Sequence, residues 1–316
     1  MVYILTVLHV IVQIGGTIML EIKNISKSYT DKLVLNNLNC VIKDNSIYGL
    51  VGSNGSGKST LLRIINGIYN QDSGEILIDG ENIKDNEKLK QNIVFIPDDL
   101  FFFNGYTLLD MAKFYQSLYH KFDMEYLKKL ASILKLDLNK KITNFSKGMK
   151  RQCALILAIA THSKYMFFDE TFDGVDPVVR TVIKKILVKH IEEDNTTIVL
   201  TSHNLRELED IADNLGLLYD GGILFEGEID NLKTNMFKVQ ISFKEDFTKE
   251  NFKDLDILSF KKQGSVATII INDKDKSSLK LLEKMKPLIL DVLPLTLEEI
   301  FIYEMEVLGY EFNEIL

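Results

Sequence analysis

A glycine-rich segment at residues 52–60 lies between a short apolar run and a stretch with helical periodicity. It reads Gly-Ser-Asn-Gly-Ser-Gly-Lys-Ser-Thr, which contains the Gly-x4-Gly-Lys-Ser pattern of a phosphate-binding loop. Residues 47–51 before it predict a buried strand, and apolar residues recur at helical spacing over positions 61–68. A strand, a glycine loop and a helix start in this order aim backbone N–H groups and the helix dipole at one point. The segment therefore predicts a site for the phosphate chain of a nucleoside triphosphate.

Two side chains of this P-loop are assigned separate roles. Lys58 is expected to reach the β- and γ-phosphates, and the Ser59 hydroxyl is expected to bind Mg²⁺. A chance glycine-rich turn is the alternative, and the strand and helix on either side argue against it. The loop residues predicted to contact the nucleotide are Gly52, Ser53, Asn54, Gly55, Ser56, Gly57, Lys58, Ser59 and Thr60.

Two later strands are predicted to end beside this loop. Residues 165–170 read Tyr-Met-Phe-Phe-Asp-Glu, an apolar run with two carboxylates at its end. We predict that Asp169 holds Mg²⁺ through water and that Glu170 orients and deprotonates the attacking water. Residues 197–201 form another apolar run, and His203 shortly after it is predicted to contact the γ-phosphate. The alternatives are solvated acids that end a strand and a purely structural histidine.

Tyr29, upstream of the P-loop, offers an aromatic ring for the base of the nucleotide. Stacking of a base on an aromatic side chain contributes about 1–3 kcal/mol. A half-buried turn tyrosine is the alternative interpretation.

Composition narrows the function classes only a little. The chain has 316 residues, so we expect about two domains. Its net charge is −8, whereas proteins that bind nucleic acid usually carry a basic surface, so we expect no nucleic-acid partner. Cys40 and Cys153 lack a metal or redox spacing, so we expect buried thiols in a reducing cytosol. No ligand-like spacing is found, and no role is assigned, for four histidines: His9, His120, His162 and His190.

The first 20 residues are uncharged and mostly apolar. They are long enough for a membrane span, but they contain His9, Gln13 and a glycine pair and lack the basic region of a signal peptide. Three interpretations of residues 1–19 stay open: an untranslated stretch before a true start at Met19, a membrane anchor, or an ordinary apolar extension. The first is favoured, because Gly15-Gly16 encoded as GGA-GGT would resemble a bacterial ribosome-binding site just upstream of Met19.

Hydrophobic patterning divides the rest into residues 20–235 and 236–316. Alternation over residues 20–50 predicts antiparallel strands, and helical periodicity marks an insert at about residues 100–160.

Residues 236–316 show a βαββαβ order, a ferredoxin-like pattern, with helices expected at 249–255 and 277–285. A closing amphipathic helix at 297–308 is suited to bind a partner or second copy, or to pack on its own sheet. We predict an α/β P-loop NTPase with an antiparallel β subdomain, a helical insert and a small C-terminal α+β domain.

The order of motifs in residues 20–230 resembles that of ATP-binding-cassette (ABC) ATPases. The matching features are Tyr29, the P-loop, the Asp98 loop, Ser146-Lys147-Gly148-Met149, the Asp169-Glu170 strand, Gly174-Val175-Asp176-Pro177 and Ser202-His203. The resemblance implies a head-to-tail dimer with a second copy or a homologous ATPase, and two ATP molecules at the interface. It implies that Ser146 and Gly148 contact the γ-phosphate across this interface, that Asp176 contacts the opposite P-loop, and that Glu170 and His203 are the general base and the switch histidine.

Some motifs depart from the usual family pattern. Asp98 stands where the family has glutamine, and we place it at the Mg²⁺ site. Ser146-Lys147-Gly148-Met149 replaces the usual signature and looks like the branch that serves ABC-2-type exporters. Residues 171–173, Thr-Phe-Asp, replace the family's Pro-Thr-Ser.

The resemblance implies a subunit that hydrolyses ATP to power a separate integral-membrane permease. We expect an exporter, with this chain in the cytoplasm on the inner face of the cell membrane. A soluble ABC ATPase that acts on ribosomes or DNA stays open, although a single cassette and an acidic charge argue against it. A regulatory sensor that binds nucleotide without turnover is the third possibility.

Overall fold

The computed structural model describes residues 18–30, 32–84, 86–234, 236–273 and 277–307. Residues 1–17 of the apolar segment lie outside these ranges, so the three interpretations of it stay predictions. Within the described ranges, no helix combines the length and apolarity needed to cross a membrane. The chain divides into two compact units, Met1–Glu226 and Gly227–Leu316. The boundary predicted at residue 235 is not tested by this division and stays a prediction.

Strands and helices of the first unit follow one another along the chain. Its strands are β1 (Ile18–Tyr29), β2 (Lys32–Lys43), β3 (Ile47–Val51), β4 (Ser73–Ile78), β5 (Glu81–Asn82), β6 (Ile93–Ile96), β7 (Tyr165–Phe168), β8 (Thr197–Ser202), β9 (Asn214–Tyr219) and β10 (Gly222–Glu228). Its helices are α1 (Lys58–Ile65), α2 (Glu87–Lys90), α3 (Leu108–Leu118), α4 (Met124–Ile133), α5 (Lys147–Ile159), α6 (Pro177–Asp194) and α7 (Leu205–Glu209).

Six strands form a sheet in the order β10-β9-β3-β8-β7-β6. β3 pairs in parallel with β8 and β9, and β7 pairs in parallel with β6 and β8. Every residue of β3, β7 and β8 is buried, which explains why the sequence shows continuous apolar runs there instead of alternation. The carboxyl ends of these three strands lie side by side at one edge, where open α/β sheets bind their ligands.

A second, antiparallel sheet has the strand order β2-β1-β4-β5. Its buried side chains, among them Ile22, Ile42 and Ile76, share one core with Leu62 of α1. The prediction of antiparallel strands for residues 20–50 is right as far as β2. It is wrong beyond β2, because β3 joins the parallel sheet, where both faces are covered.

Three helices of the predicted insert begin at capping side chains. Thr107 and Asp110 form a capping box at the start of α3, Asp123 caps α4, and Ser146 caps α5. The predicted helix positions are confirmed. Residues 151–159 of α5 are buried on all sides, where the sequence indicated a single apolar face, because α5 packs against β6 as well as α3 and α4.

The second unit contains a four-stranded antiparallel sheet. Its elements are α8 (Ile229–Thr234), β11 (Met236–Ser242), β12 (Ile257–Gln263), β13 (Val266–Asn272), α9 (Ser278–Lys284), β14 (Ile289–Leu293) and α10 (Leu297–Val307). The strand order β12-β13-β11-β14 agrees with the predicted ferredoxin-like pattern. The helix predicted at residues 249–255 is wrong in length: only a 3-10 turn, Lys249–Phe252, forms, because Phe252 turns into an aromatic cluster with Phe247 and Phe260.

The apolar face of α10 is covered within the chain. Leu297, Ile300 and Phe301 are fully buried, and α10 packs beside α8. These three residues therefore favour internal packing over the partner-binding interpretation. The side chains at positions 305 and 308 lie outside the described part of the chain.

Candidate active site

The loop between β3 and α1 needs glycine at two positions for steric reasons. A Cβ on Gly52 would lie 2.5 Å from the Leu218 carbonyl oxygen and 2.7 Å from Ser56 Oγ. Gly57 has φ +110°, and a Cβ there would lie 2.8 Å from Leu35 Cδ2. The pattern that identified the loop in the sequence is thus required by its backbone and its neighbours.

Lys58, the first residue of α1, folds back across this loop. Its side chain is only 5% exposed, and Nζ donates to the carbonyl oxygens of Gly52, at 2.7 Å, and Ser53, at 3.2 Å. The ammonium also lies 3.3 Å from Glu170 Oε1. Gly57 precedes α1 and provides no side-chain cap, so the N–H groups of the first turn remain available to an anion. The lysine and the helix start together form a positively charged cradle, which would suit a phosphate group.

Asp169 lies at the end of β7 and is completely buried. Its Oδ1 accepts hydrogen bonds from Ser59 Oγ, at 3.0 Å, and from Thr201 Oγ1, at 2.7 Å. Its Oδ2 is buried and has no hydrogen-bond partner among the residues that the structure describes. An unpartnered buried carboxylate oxygen is costly in a protein interior. The serine hydroxyl and this oxygen are hard ligands of the kind Mg²⁺ prefers, so these residues fit a bound magnesium ion.

Glu170 lies between the P-loop lysine and the histidine that follows β8. Oε2 of Glu170 accepts from His203 Nδ1 at 2.8 Å and from the His203 backbone N–H at 3.3 Å. The Glu170 backbone N–H donates to Thr201 Oγ1 at 3.0 Å. Glu170 also has φ +48°, an uncommon conformation for a residue with a side chain, which is typical of functional sites. The carboxylate is thus held at both oxygens and through its backbone.

Arg151 on α5 connects this glutamate to two further loops, and the sequence analysis missed it. Arg151 is buried, and its guanidinium donates to the Glu170 carbonyl oxygen, to Asp98 Oδ1 at 3.0 Å and to Asp173 Oδ2 at 3.4 Å. Lys147 Nζ donates to the same Asp173 oxygen at 3.1 Å, and this bond lowers the pKa of the Asp173 carboxyl. In the sequence, Arg151 is one of three basic residues at or just after the signature run of residues 146–149, and nothing there marks it as buried and therefore in need of a charged partner.

Asp98, predicted at the Mg²⁺ site, has a different partner in the structure. Its carboxylate pairs with Arg151, and within the described residues no hydrogen bond joins it to Ser59 or Asp169. A guanidinium is a strong, charge-assisted partner for a carboxylate. The metal role of Asp98 therefore stays a prediction, and its observed role is to anchor Arg151.

The remaining predicted phosphate contacts lie at helix starts. Ser146 caps α5 by accepting from Met149 N–H at 3.2 Å, and Asp176 caps α6. Both are exposed. A Cβ on Gly148 would lie 3.0 Å from the Gly174 carbonyl oxygen, so glycine allows the first turn of α5 to approach the Gly174 loop closely. Within the described residues, no hydrogen bond links these groups to Lys58.

Tyr29, the predicted base-stacking residue, lies at the end of β1. Its ring is 39% exposed, packs edge-on against Tyr69 at 6.2 Å and lies under Lys27 Nζ at 5.6 Å. One face of the ring is thus partly covered by a cation. Base stacking stays a prediction.

Comparisons with known proteins bear on the family. A family model described as ABC transporter matches residues 35–173. The chain is 34% identical over 284 residues to the ABC transporter ATP-binding protein YtrB of Bacillus subtilis (strain 168), covering 90% of this chain and 97% of YtrB. It is 29% identical to the lantibiotic transport ATP-binding protein SrtF of Streptococcus pyogenes, covering 71% of this chain and 98% of SrtF.

A solved structure agrees at the level of the fold. The dimeric bacterial ABC transporter cassette MJ0796 aligns with a TM-score of 0.61 and 23% identity, over 67% of this chain and 99% of the cassette. The P-loop cradle, the buried Asp169 and the relation to YtrB together confirm the resemblance and the predicted ATPase activity. The chain belongs to the ABC transporter ATP-binding proteins, which bind and hydrolyse ATP to power a transporter.

Proposed function

We propose that the chain powers a membrane exporter as one half of a head-to-tail dimer that encloses two ATP molecules. The observation that carries the proposal is that Ser146 and Asp176 are exposed at the starts of α5 and α6, whereas Lys58 and Glu170 are largely buried around the P-loop. Within the described residues no hydrogen bond links these two helix starts to Lys58, so one chain would contact its own nucleotide from the P-loop only. A second copy related by a two-fold axis would supply the helix starts that the first P-loop lacks.

Each chain contributes its own part of the reaction. Lys58 and the first turn of α1 would hold the β- and γ-phosphates. Ser59 and Asp169 would hold Mg²⁺, which neutralises phosphate charge when bound. Glu170 would accept the proton of the attacking water, and the hydrogen bond from His203 would keep its carboxylate in position. Loss of the γ-phosphate removes the group that both chains contact, so the dimer reopens.

The permease would bind at the helical insert and the Asp98 loop. Phe101 beside this loop is 73% exposed, and Phe103 packs against Tyr106 and Phe114 to form an aromatic surface. Asp98 pairs with Arg151, which contacts the Glu170 backbone, so motion of the loop would reach the catalytic carboxylate. The chain would thus lie on the inner face of the cell membrane, beside an integral-membrane partner.

Export is favoured over import by the signature run at residues 146–149. Ser-Lys-Gly-Met is the form that resembles the ABC-2 exporter branch, and the name of SrtF refers to lantibiotic transport. The transported compound would be chosen by the permease, so no substrate follows from this chain.

The proposal is tested by purifying the chain from membranes together with its partner. We expect a multi-span membrane protein to co-purify and to change the ATPase rate after reconstitution in vesicles. Phe101→Ser should weaken this association, whereas Val188→Ser, which changes an exposed residue of α6 outside the insert, should not. Recovery with ribosomes or DNA, and without any membrane protein, would overturn the proposal.

A further inference from the structure

Two histidines and an aspartate meet just after α5 and at the carboxyl end of α6, at the opposite ends of these helices from Ser146 and Asp176. His162 Nδ1 lies 2.8 Å and His190 Nδ1 lies 2.9 Å from the same oxygen, Asp194 Oδ2. All three potential ligand atoms lie within 4.8 Å of one another. We propose that His162, His190 and Asp194 form a binding site for a divalent transition-metal ion of the Zn²⁺ class.

The fold holds the two imidazole rings in place. His190 and Asp194 are four residues apart on α6, so they share one face of the helix. His162 lies after α5 in the left-handed region, with φ +49°. Tyr126 of α4 stacks on His190, with centroids 6.5 Å apart and planes at 9°, and contacts His162 at 5.5 Å. Ligands fixed by packing lose little freedom when an ion binds.

The donor set suits a transition metal. Two imidazole nitrogens with one carboxylate oxygen are a common ligand set for Zn²⁺ and Fe²⁺, and the remaining positions are left to water. Tetrahedral ligands about 2.0–2.1 Å from zinc are roughly 3.3–3.4 Å apart, so each histidine nitrogen must move about 0.5 Å away from the Asp194 oxygen. His190 is only 1% exposed, and in the described part of the chain its Nε2 has no hydrogen-bond partner.

Access and position separate this site from the ATP site. His162 and Asp194 are partly exposed, so an ion and its water ligand have an open side. α5 has 13 residues and α6 has 18, so the cluster lies roughly 20–27 Å along these helices from Ser146 and Asp176. A bound ion would tie the end of α6 to the loop after α5, and would do so without touching nucleotide.

The test is Zn²⁺ binding by the metal-stripped full chain without nucleotide, in competition with a chromophoric chelator. We expect one Zn²⁺ per chain in this site, and Co²⁺ in its place should give visible absorption bands. His162→Asn suits the positive φ and removes the imidazole. His162→Asn and Asp194→Asn should each weaken Zn²⁺ binding at least about 100-fold. Loss of a residue that only supports a metal ligand already weakens binding by up to about 100-fold, and these variants remove a ligand itself. His120→Asn, at an exposed histidine, is the matched control and should bind as the wild type does.

Thermal melting without metal checks that the variants fold. Zn²⁺ should raise the Tm of the wild-type chain and of His120→Asn, and leave that of His162→Asn unchanged. The proposal is overturned if the wild type does not compete with the chelator, or if His162→Asn binds Zn²⁺ equally well. It is also overturned if His203→Gln, which changes the histidine beside Glu170, abolishes the binding instead.

Discussion

Thr201 connects Asp169 and Glu170, the two acidic residues of the candidate active site. Valine has nearly the same side-chain shape as threonine, so the hydroxyl can be removed by itself. Thr201 Oγ1 donates to Asp169 Oδ1 at 2.7 Å and accepts from Glu170 N–H at 3.0 Å. In Thr201→Val, the Glu170 N–H loses its acceptor, which costs about 1–3 kcal/mol, and the charge-assisted bond to Asp169 is lost. Ser59 still donates to that oxygen, so we expect the free energy of unfolding to fall by about 2–4 kcal/mol.

The effect on catalysis should exceed the effect on ATP affinity. Glu170 would lose the bond that fixes its backbone, and if it is the proposed general base, its misplacement by about 1 Å costs roughly 10²-fold in rate. We expect kcat for ATP to fall about 10²-fold and KM to change little, as measured by steady-state phosphate release. Thr197→Val is the matched control: it lies on the same strand, is buried and accepts one backbone N–H, from Asn45, at 2.9 Å. It should lose stability but keep its rate, and a wild-type rate in Thr201→Val would refute the reasoning.

The other predictions concern the network, the P-loop and the thiols. Arg151→Met should lower kcat about 10–100-fold, because a charge-assisted bond to the Glu170 carbonyl of about 1.5–3 kcal/mol is lost. Asp98→Asn should lower kcat less than Arg151→Met does. Equal kcat in Arg151→Met and the wild type would contradict the role of Arg151 in holding Glu170. Lys58→Ala should weaken ATP binding about 100-fold in a fluorescent-nucleotide titration, since a buried ammonium is removed from the phosphate cradle. Burial raises the pKa of Cys153 to about 12 and that of Cys40 well above its usual value, so thiolate is scarce at pH 8. Ellman's reagent should therefore label neither until the chain is denatured, and rapid labelling of the native protein would contradict this.

Features set by local sequence could be predicted, because their physical causes are local. The glycine positions of the P-loop follow from backbone conformation, and the caps at Thr107, Asp123 and Ser146 precede helices with clear periodicity. β3, β7 and β8 are continuous apolar runs because both faces of the parallel sheet are covered. Their polar ends consequently meet at one edge, where Asp169 and Glu170 lie.

Contacts between residues distant in the chain could not be predicted from spacing. Arg151 and Asp98 are 53 positions apart, and Thr201 and Asp169 are 32 apart. His162 and His190 showed no ligand spacing because 28 residues separate them, yet the ends of α5 and α6 bring them to one carboxylate. The prediction of a helix over residues 249–255 was wrong in length for a related reason. Tertiary packing of Phe252 overrode the local helical pattern.

The central claim, that ATP closes two copies of this chain, is tested most directly by the mass of Glu170→Gln in solution. The substitution removes the proposed general base and a negative charge beside the phosphate cradle, and it keeps the shape of the side chain. Light scattering with Mg-ATP should give about twice the chain mass of 36.2 kDa, and with Mg-ADP the single-chain mass. Lys58→Ala should remain a single chain in both. A Glu170→Gln protein that binds ATP but keeps the single-chain mass, with its permease present as well as absent, would contradict the account.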